Sequence, residues 1–303
     1  MNFNQIQLLS VLQASDFNLS KAAEKMHVVQ SAVSRQLQLF ENEMGGQLFE
    51  RHGKKLVALT PLGKKILDEV NFINQAKSNI QMLATDFLEN RNCSLRIATT
   101  HAQAKYLLPV PVQKFRAKFP HIKIYLMQSS PEKLIEMLYT QQADMAVCTE
   151  KLDEDHRLMV TPCYAWHHLA IMPKNHPQSA AMTLEWLSGQ PILTYSHGYT
   201  GRSKIEAAFA AKDLPLNVIL AAADSDVIKT YVRLGMGIGI IAETSYDPVK
   251  DSDLLAVSLA GLIPGAVTKI ACLQQHYLPA YCQYFIKELL AEANLKKLNQ
   301  STA

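Results

Sequence analysis

Hydrophobic positions along the first 45 residues predict three short helices. Apolar side chains recur every third residue near the start and so share one helical face: Phe3, Ile6, Leu9 and Leu12. Residues 18–26 favour a second helix capped by Ser20, and residues 31–44 favour a third that ends at Gly45. Only residues 27–30 separate these two helices. A turn of that length is typical of a helix-turn-helix, whose later helix is free to enter a DNA major groove.

The next segment predicts a hairpin followed by a long helix. Residues 47–59 hold two strand-like runs around a turn at residues 52–54, which would form a wing. Thr60 and Pro61 then mark a helix start, since a cap precedes a proline at the first helical position. Apolar residues continue at a spacing of about 3.5, with Lys77 as an interruption: Ile66, Val70, Ile73, Ile80 and Phe87. The stripe predicts pairing with a second copy of the helix. Packing on the chain's own C-terminal region is the alternative.

From residue 94 onward, strand-like and helix-like runs alternate, which predicts an α/β fold with a parallel sheet. One series covers residues 94–149 and a second covers residues 166–242. The chain changes from the first series to the second near residues 163–172 and returns near residues 264–271. We therefore expect two α/β lobes with a cleft between them. Ligands of open α/β sheets bind outside the carboxyl ends of the strands.

Composition and length agree with a folded protein of two or three domains. The chain has 303 residues, of which 48% are hydrophobic and 19% are charged, close to ordinary usage. No apolar run approaches the roughly 20 residues that a membrane span needs. The N-terminus lacks the basic region and cleavage site of a signal peptide. We expect a cytoplasmic protein that does not act at a membrane.

The cysteine, histidine and charge patterns do not by themselves indicate a disulfide framework, a metal site or a nucleic-acid site. The five cysteines are scattered with no C-x-x-C, so they are expected to be buried thiols. The ten histidines form no H-E-x-x-H, and we expect neither a metal nor another cofactor. The net charge is only +3, and the eight Lys and Arg among the first 65 residues face five Asp and Glu. Charge alone therefore does not argue for nucleic acid.

A run of three glycines at residues 235–239 invites a dinucleotide-binding interpretation. The run follows a predicted helix and enters a predicted strand, whereas the dinucleotide fingerprint follows a strand and enters a helix. We reject that interpretation. Gly235 is expected to end the helix.

Candidate DNA contacts lie on the third helix and on the wing. Four polar residues near the N-terminal end of the helix can reach base edges and phosphates: Gln30, Ser31, Ser34 and Arg35. Arg35 carries the fork that binds guanine bidentately. Lys54 and Lys55, near the hairpin tip, suit backbone phosphate. A plain solvated helix end and a soluble turn are the alternatives.

Candidate ligand contacts gather at the predicted cleft. Residues 100–103 lie where the first strand ends and a helix begins, so free N–H groups favour a carboxylate or an oxyanion there. Thr149 ends the third strand at the same edge, Thr200 precedes a helix of the second lobe, and Trp166 lies in the crossing. Helix capping by the threonines and core packing of Trp166 are the alternatives. The role of His101 stays open.

The N-terminal residues closely resemble the winged helix-turn-helix of LysR-type transcriptional regulators. The matching positions are Ala22, Ala23, Gln30, Ala32, Val33, Ser34, Gln36, Gly45, Leu48 to Arg51 and Thr60 to Gly63. Val29 stands where the family has a serine or threonine cap, and Ser31 stands where it has a proline, so we expect the cap to shift to Ser31. Phe40 and Met44 replace leucines.

The resemblance covers essentially the whole chain and implies its domain plan. The family's plan is a winged helix-turn-helix, a long linker helix, and a two-lobe α/β effector domain like those of periplasmic binding proteins. It implies a DNA-binding domain over residues 1–60, a dimerisation helix over 61–89 and an effector domain over 90–303. Within the last, it implies lobe one at about 90–163 with 268–303, and lobe two at about 164–267.

The effector region is most similar to the CysB branch of that family, which governs sulfur assimilation and cysteine synthesis. The resembling runs are residues 97–109, 163–168, 198–203 and 224–242. The resemblance implies an acetylated serine as inducer, with sulfate or thiosulfate competing. It implies that these ligands are held by Thr100, Gln103, Thr149, Trp166 and Thr200. It also implies a dimer of dimers on promoter DNA, with RNA polymerase as a candidate partner.

Three other functions were weighed against this one. An enzyme would need a nucleophile and a base within reach, and Ser203, His197 and Asp226 are too loosely placed to specify a triad. A solute carrier would need a secretion signal and would not carry a helix-turn-helix. A LysR-type regulator of another pathway, responding to an unrelated small carboxylate such as an aromatic acid, is the remaining alternative.

Overall fold

A computed structural model describes residues 2–53, 55–87, 93–177, 182–199, 201–274 and 276–301. The chain divides into two compact units. The first contains Met1–Asn90 together with Tyr139–Gln141 and Gln275–Tyr277. The second contains Arg91–Leu138, Gln142–Gln274 and Leu278–Ala303.

The first unit is a winged helix-turn-helix followed by a long helix. Its elements are α1 (Phe3–Gln13), α2 (Leu19–Lys25), α3 (Gln30–Met44), β1 (Phe49–His52), β2 (Lys55–Leu59) and α4 (Pro61–Phe87). The strands β1 and β2 pair antiparallel, with His52 opposite Lys55 across the tip. The core draws apolar residues from every helix, including Leu9, Ala23, Leu37, Phe40 and Val70. The predicted helix-turn-helix and wing are confirmed.

Two predicted helix caps are wrong. The cap of α2 is Asn18, whose side chain accepts hydrogen bonds from the backbone N–H groups of Ser20 and Lys21. Ser20 therefore lies inside the first turn, because asparagine two residues earlier already satisfies those donors. The cap of α3 is Val29, which offers no side-chain hydrogen bond, and the helix begins at Gln30. The cap does not shift to Ser31.

The apolar stripe of α4 divides into an internal part and an exposed part. Val70 is 2% exposed and belongs to the unit's own core, while Ile66 and Ile73 are partly buried against it. Ile80 and Leu83, by contrast, are 67% and 48% exposed. The prediction that the whole stripe faces a second copy is therefore wrong for its N-terminal half. The side chain of Phe87 lies outside the described residues.

The second unit is built from two five-stranded sheets with helices around them. Its strands are β3 (Ser94–Thr99), β4 (Lys123–Gln128), β5 (Met145–Cys148), β6 (Leu158–Trp166), β7 (His168–Pro173), β8 (Ile192–Tyr195), β9 (Val218–Ala222), β10 (Ile238–Ala242), β11 (Leu254–Ser258) and β12 (Ala266–Leu273). Its helices are α5 (His101–Tyr106), α6 (Pro109–Lys118), α7 (Pro131–Tyr139), α8 (Leu184–Ser188), α9 (Arg202–Ala210), α10 (Ser225–Arg233) and α11 (Ala280–Ser301). Short 3-10 turns lie at Leu152–Glu154 and Glu243–Ser245.

The strand orders define two lobes. Lobe one has the order β4-β3-β5-β12-β6, and lobe two has the order β11-β7-β10-β8-β9. In lobe one, β3 pairs parallel with β4 and β5, whereas β12 pairs antiparallel with β5 and β6. The chain passes from lobe one to lobe two at His167 and returns between β11 and β12. The predicted pair of α/β lobes with two crossings is confirmed.

Two details of lobe one and lobe two differ from the sequence-based expectation. The helix-like run of residues 102–119 predicts one helix after β3, but the structure has two, α5 and α6. Pro109 starts the second one because proline lacks the N–H that a continuing helix would need. The strand β11 was not predicted. It pairs antiparallel with β7 at an outer edge of its sheet.

The glycine-rich run ends α10 and enters β10, as predicted. Gly235 has a φ of 74°, the left-handed conformation that terminates helices. At Gly237, a Cβ atom would lie 2.2 Å from the Pro191 carbonyl oxygen, so a side chain has no room. The run serves strand packing in lobe two.

Candidate functional site

The four predicted DNA contacts on α3 share one exposed face. Gln30, Ser31, Ser34 and Arg35 are all exposed. The opposite face of the helix is buried through Val33, Leu37 and Phe40. Burial of one face fixes the orientation of the helix, so its polar N-terminal face is presented outward. This is the geometry that a recognition helix needs in a major groove.

The N-terminus of α3 also leaves backbone donors available. Val29 gives no side-chain cap, so no cap side chain satisfies the first-turn N–H groups, although the Ala32 N–H donates to the Val29 carbonyl at 3.0 Å. The Gln30 side-chain oxygen accepts a hydrogen bond from the Ser20 hydroxyl at 3.2 Å, which ties α3 to α2. Free N–H groups at the end of a 15-residue helix suit a phosphate oxygen.

Glu41 fixes the wing to the recognition helix. It is buried on α3, and its Oε1 accepts hydrogen bonds from the backbone N–H groups of Leu48 at 2.9 Å and Phe49 at 3.4 Å. Its Oε2 lies 2.6 Å from Nη2 of Arg51 on β1. Sequence reasoning missed Glu41, although a carboxylate on an apolar helix face was a usable signal. Lys55 is exposed at the wing tip, and Lys54 lies outside the described residues.

Two of the predicted effector residues meet at one edge of lobe one. Strands β3 and β5 are parallel neighbours, with Thr99 opposite Val147, so Thr100 and Thr149 both follow strand ends at the same edge. Their exposures are 4% and 7%. Thr100 is the N-cap residue of α5, but its hydroxyl makes no capping hydrogen bond. A hydroxyl that does not cap its own helix can serve another acceptor.

Gln103 and Trp166 take part in a buried hydrogen-bond network. The Tyr164 hydroxyl donates to Gln103 Oε1 at 3.0 Å, and Gln103 Nε2 donates to Thr268 Oγ1 at 3.2 Å. Trp166 Nε1 donates to the same Thr268 oxygen at 3.1 Å. The network joins α5, β6 and β12, and Thr268 was not found from the sequence. Direct contact of Gln103 and Trp166 with a ligand stays a prediction.

The loop before α9 reaches across from lobe two. Its Gly201 has a φ of 75° and acts as the N-cap of α9. A Cβ at Gly201 would lie 2.8 Å from the His168 ring, so only glycine fits. The Gly201 N–H donates to Glu150 Oε1, directly after Thr149 in lobe one. Thr200 lies outside the described residues.

A second set of contacts joins the lobes between α5 and α10. Lys105 forms an ion pair with Asp226, and the Tyr106 hydroxyl donates to Asp226 Oδ1 at 2.9 Å. Buried Lys229 lies 3.2 Å from Asp226 and 2.9 Å from Asp251. Sequence reasoning missed this role because the partners are more than a hundred residues apart. His101, at the start of α5, is exposed.

Two of the three side chains considered for a triad have other partners. His197 Nδ1 lies 3.1 Å from Glu206, and Asp226 binds Lys105 and Tyr106. These pairings differ from the nucleophile, base and acid contacts of a triad. Within the described ranges, the structure holds no group of three or more His, Cys, Asp or Glu placed to bind a metal ion. The described part of the chain also contains no helix that is both long and apolar enough to span a membrane.

Comparison with known protein families identifies both units. Residues 3–64 match the bacterial regulatory helix-turn-helix protein model of the lysR family, and residues 89–294 match the LysR substrate binding domain model. The chain belongs to the LysR family of transcriptional regulators.

Individual relatives within the LysR family agree with the branch expected from the sequence. The chain is 35% identical to the HTH-type transcriptional regulator CysB of Burkholderia cenocepacia, over 99% of this chain and 97% of that protein. It is 36% identical to the regulator SsuR of the same species, over 97% and 96% of the two chains. It is 39% identical to the regulator cbl of Escherichia coli, over 84% and 81%. The resemblance to the CysB branch is confirmed.

Solved structures of LysR-family regulators share the fold. The cofactor-binding domain of the Cbl transcriptional regulator superposes with a TM-score of 0.64 at 34% identity, covering 70% of this chain and 94% of that one. Full-length OxyR of Pseudomonas aeruginosa gives 0.68 at 19% identity, covering 97% and 98%. At 19% identity, the similarity to OxyR shows a shared fold alone.

Proposed function

We propose that this LysR-family regulator controls genes of sulfur assimilation and cysteine biosynthesis in response to a small anionic effector bound between its two lobes. The effector is an acetylated serine, with sulfate or thiosulfate competing for the same place. The observation that carries the proposal is that Thr100 and Thr149 follow the ends of two neighbouring parallel strands, in a chain whose relatives include CysB and Cbl. Residues 1–60 bind DNA, residues 61–89 dimerise and residues 90–303 bind the effector.

The chemistry of the cleft supports an anion. Thr100 and Thr149 supply hydroxyl donors, and the positive end of the α9 helix dipole lies beside Glu150 from the other lobe. Gln103 has a second amide N–H beyond the one that it gives to Thr268. Trp166 forms an apolar wall behind Gly201. Thr200, which lies outside the described residues, is proposed as a further contact.

Effector binding acts on DNA through the relative closure of the lobes. A ligand that contacts both lobes binds the closed arrangement better than the open one, so it shifts the population towards closure. The shift is limited by the difference between the two affinities. A LysR-type regulator responding to an aromatic carboxylate is the competing proposal, and it predicts no response to acetylserine or sulfate.

Substitution of Arg35 by alanine is expected to weaken binding to a specific promoter duplex by about 1 to 3 kcal/mol, because a bidentate contact with guanine is lost. Fluorescence anisotropy with a labelled duplex measures the change. Lys21→Ala is the matched control, since it removes the same charge from an exposed position on α2. Equal losses in the two variants would mean that Arg35 contributes charge only and does not read a base.

Substitution of Ile80 by aspartate is expected to weaken dimerisation. The exposed part of the α4 stripe is left for a second copy, and a charge placed there would have to be desolvated. Ile80 is preferred to Ile73, which packs on the unit's own core. Sedimentation velocity measures the association, with exposed Gln81→Asp as a control that adds the same charge one position along. An unchanged dimer in Ile80→Asp would exclude this face of α4 from the interface.

A further inference from the structure

Glu150 connects the two lobes at the cleft edge. It follows Thr149 beyond the carboxyl end of β5, and its Oε1 accepts the hydrogen bond of the Gly201 N–H from lobe two. Gly201 is the N-cap of α9, a helix of nine residues, so the carboxylate lies at the positive end of the helix dipole. The chain therefore sets one of its own anions where an anionic ligand would also be favoured.

Burial of Glu150 opposes its negative charge. Burial raises the pKa of the Glu150 carboxyl to about 7, although the Gly201 N–H, Lys204 and Lys269 act in the opposite direction. Lys204 Nζ donates to the Gly265 carbonyl at 2.6 Å, and Lys269 pairs with Asp153, so both lysines have other partners. Other ionisable groups around this corner include Cys148, Glu132, Asp153 and, beneath Gly201, His168.

We propose that Glu150 is a resident anion that the effector displaces from Gly201, so that the charge at residue 150 sets the affinity of the cleft for anions. The inference rests on the proposed function, because it takes the effector to be an anion bound between the lobes. Glu150 is thus a specificity-determining residue. Without ligand, its carboxylate accepts the Gly201 N–H. Its negative charge lowers the affinity of the cleft for a second anion.

The proposal has a direct consequence for pH dependence. Two anions cannot share the end of α9 without mutual repulsion, so the effector binds better when Glu150 is protonated. Affinity for a ligand of constant charge should then fall as pH rises, by up to about tenfold per unit above the pKa of Glu150. Sulfate is a suitable probe because its charge does not change near neutral pH.

The test is calorimetry of sulfate binding to the full chain at about pH 6, 7 and 8, comparing the wild type with Glu150→Gln. The amide oxygen of glutamine can still accept the Gly201 N–H but carries no charge. We expect the wild type to bind about tenfold more weakly at pH 8 than at pH 6, and Glu150→Gln to bind with the same affinity at both. Glu150→Asp, which keeps the charge, should keep the pH dependence.

Glu132→Gln is the matched control. Glu132 faces the same loop, because a Cβ at Gly198 would lie 3.4 Å from its carboxylate, but the Gly201 N–H donates to Glu150. Its removal should leave the pH dependence in place. Melting curves of all four proteins verify that each is folded.

Two results would overturn the inference. If the pH dependence persists in Glu150→Gln, it arises from another group, such as His168. Weaker sulfate binding in Glu150→Gln at pH 8 would make Glu150 a supporting contact instead of a competitor. A different outcome is that neither sulfate nor acetylserine binds to the wild type or to Glu150→Gln at any pH. That result would contradict the proposed function, and this inference with it.

Discussion

Substitution of Glu41 by alanine is expected to lower the free energy of unfolding of the DNA-binding unit by about 2 to 4 kcal/mol. The change leaves the buried N–H groups of Leu48 and Phe49 without their acceptor, and each such donor costs about 1 to 3 kcal/mol. It also removes the partner of Arg51. The wing should then lose its fixed position against α3, and DNA affinity should fall even though Glu41 is buried.

Hydrogen exchange of the full chain measures this loss locally, without assuming that both units unfold together. Protection of the β1 and β2 amides should decrease, while protection in the second unit should stay the same. Glu43→Ala removes a carboxylate from an exposed position on the same helix and should have little effect. Equal protection in Glu41→Ala and the wild type would show that Glu41 does not hold the wing.

The double substitution Thr100→Ala with Thr149→Ala is expected to have the largest effect on effector binding. Loss of a hydrogen bond to a charged ligand costs about 1.5 to 3 kcal/mol, so each single change should weaken binding by roughly tenfold or more. The two hydroxyls flank one position at adjacent strand ends, so their effects should not add. Calorimetry with acetylserine and with sulfate measures all three variants.

Thr99→Ala provides the control for this series. The Thr99 hydroxyl donates to the Val147 carbonyl at 3.0 Å inside the sheet, so its loss should reduce stability and leave ligand affinity unchanged. Wild-type affinity in the Thr100 and Thr149 variants would show that these residues only end their strands. Equal losses in Thr99→Ala would show that the site responds to any change in lobe one.

Local signals in the sequence account for most of the fold. The cap and proline at Thr60 and Pro61 specified the start of α4, where the Thr60 hydroxyl accepts the Gly63 N–H at 2.9 Å. Alternation of strands and helices specified two lobes because right-handed βαβ units leave few other arrangements. Asn18 and Ser20 are both good caps, and choosing between them requires the backbone geometry of the turn. The short edge strand β11 lacked any such local marker.

The candidate site, too, could be predicted from the sequence only in part. Thr100 and Thr149 were predictable as neighbours, because parallel strand ends share an edge. The contact between Glu150 and Gly201 could not be predicted, since it depends on how the two lobes meet and joins residues 51 positions apart in sequence.

Val70 illustrates a further difficulty. Helical spacing places it in a stripe, but only the three-dimensional structure shows that the stripe's first half is used internally.

We propose that a sulfur-metabolite anion controls DNA binding by this LysR-family regulator. The most direct test of this control is anisotropy of the full chain on duplexes taken from upstream of sulfate-uptake and cysteine-synthesis genes of the source genome. Acetylserine, sulfate and an aromatic carboxylate such as benzoate would be added separately. We expect specific binding whose affinity or footprint changes with acetylserine and is restored by competing sulfate. A response to benzoate, with none to acetylserine or sulfate, would contradict the account.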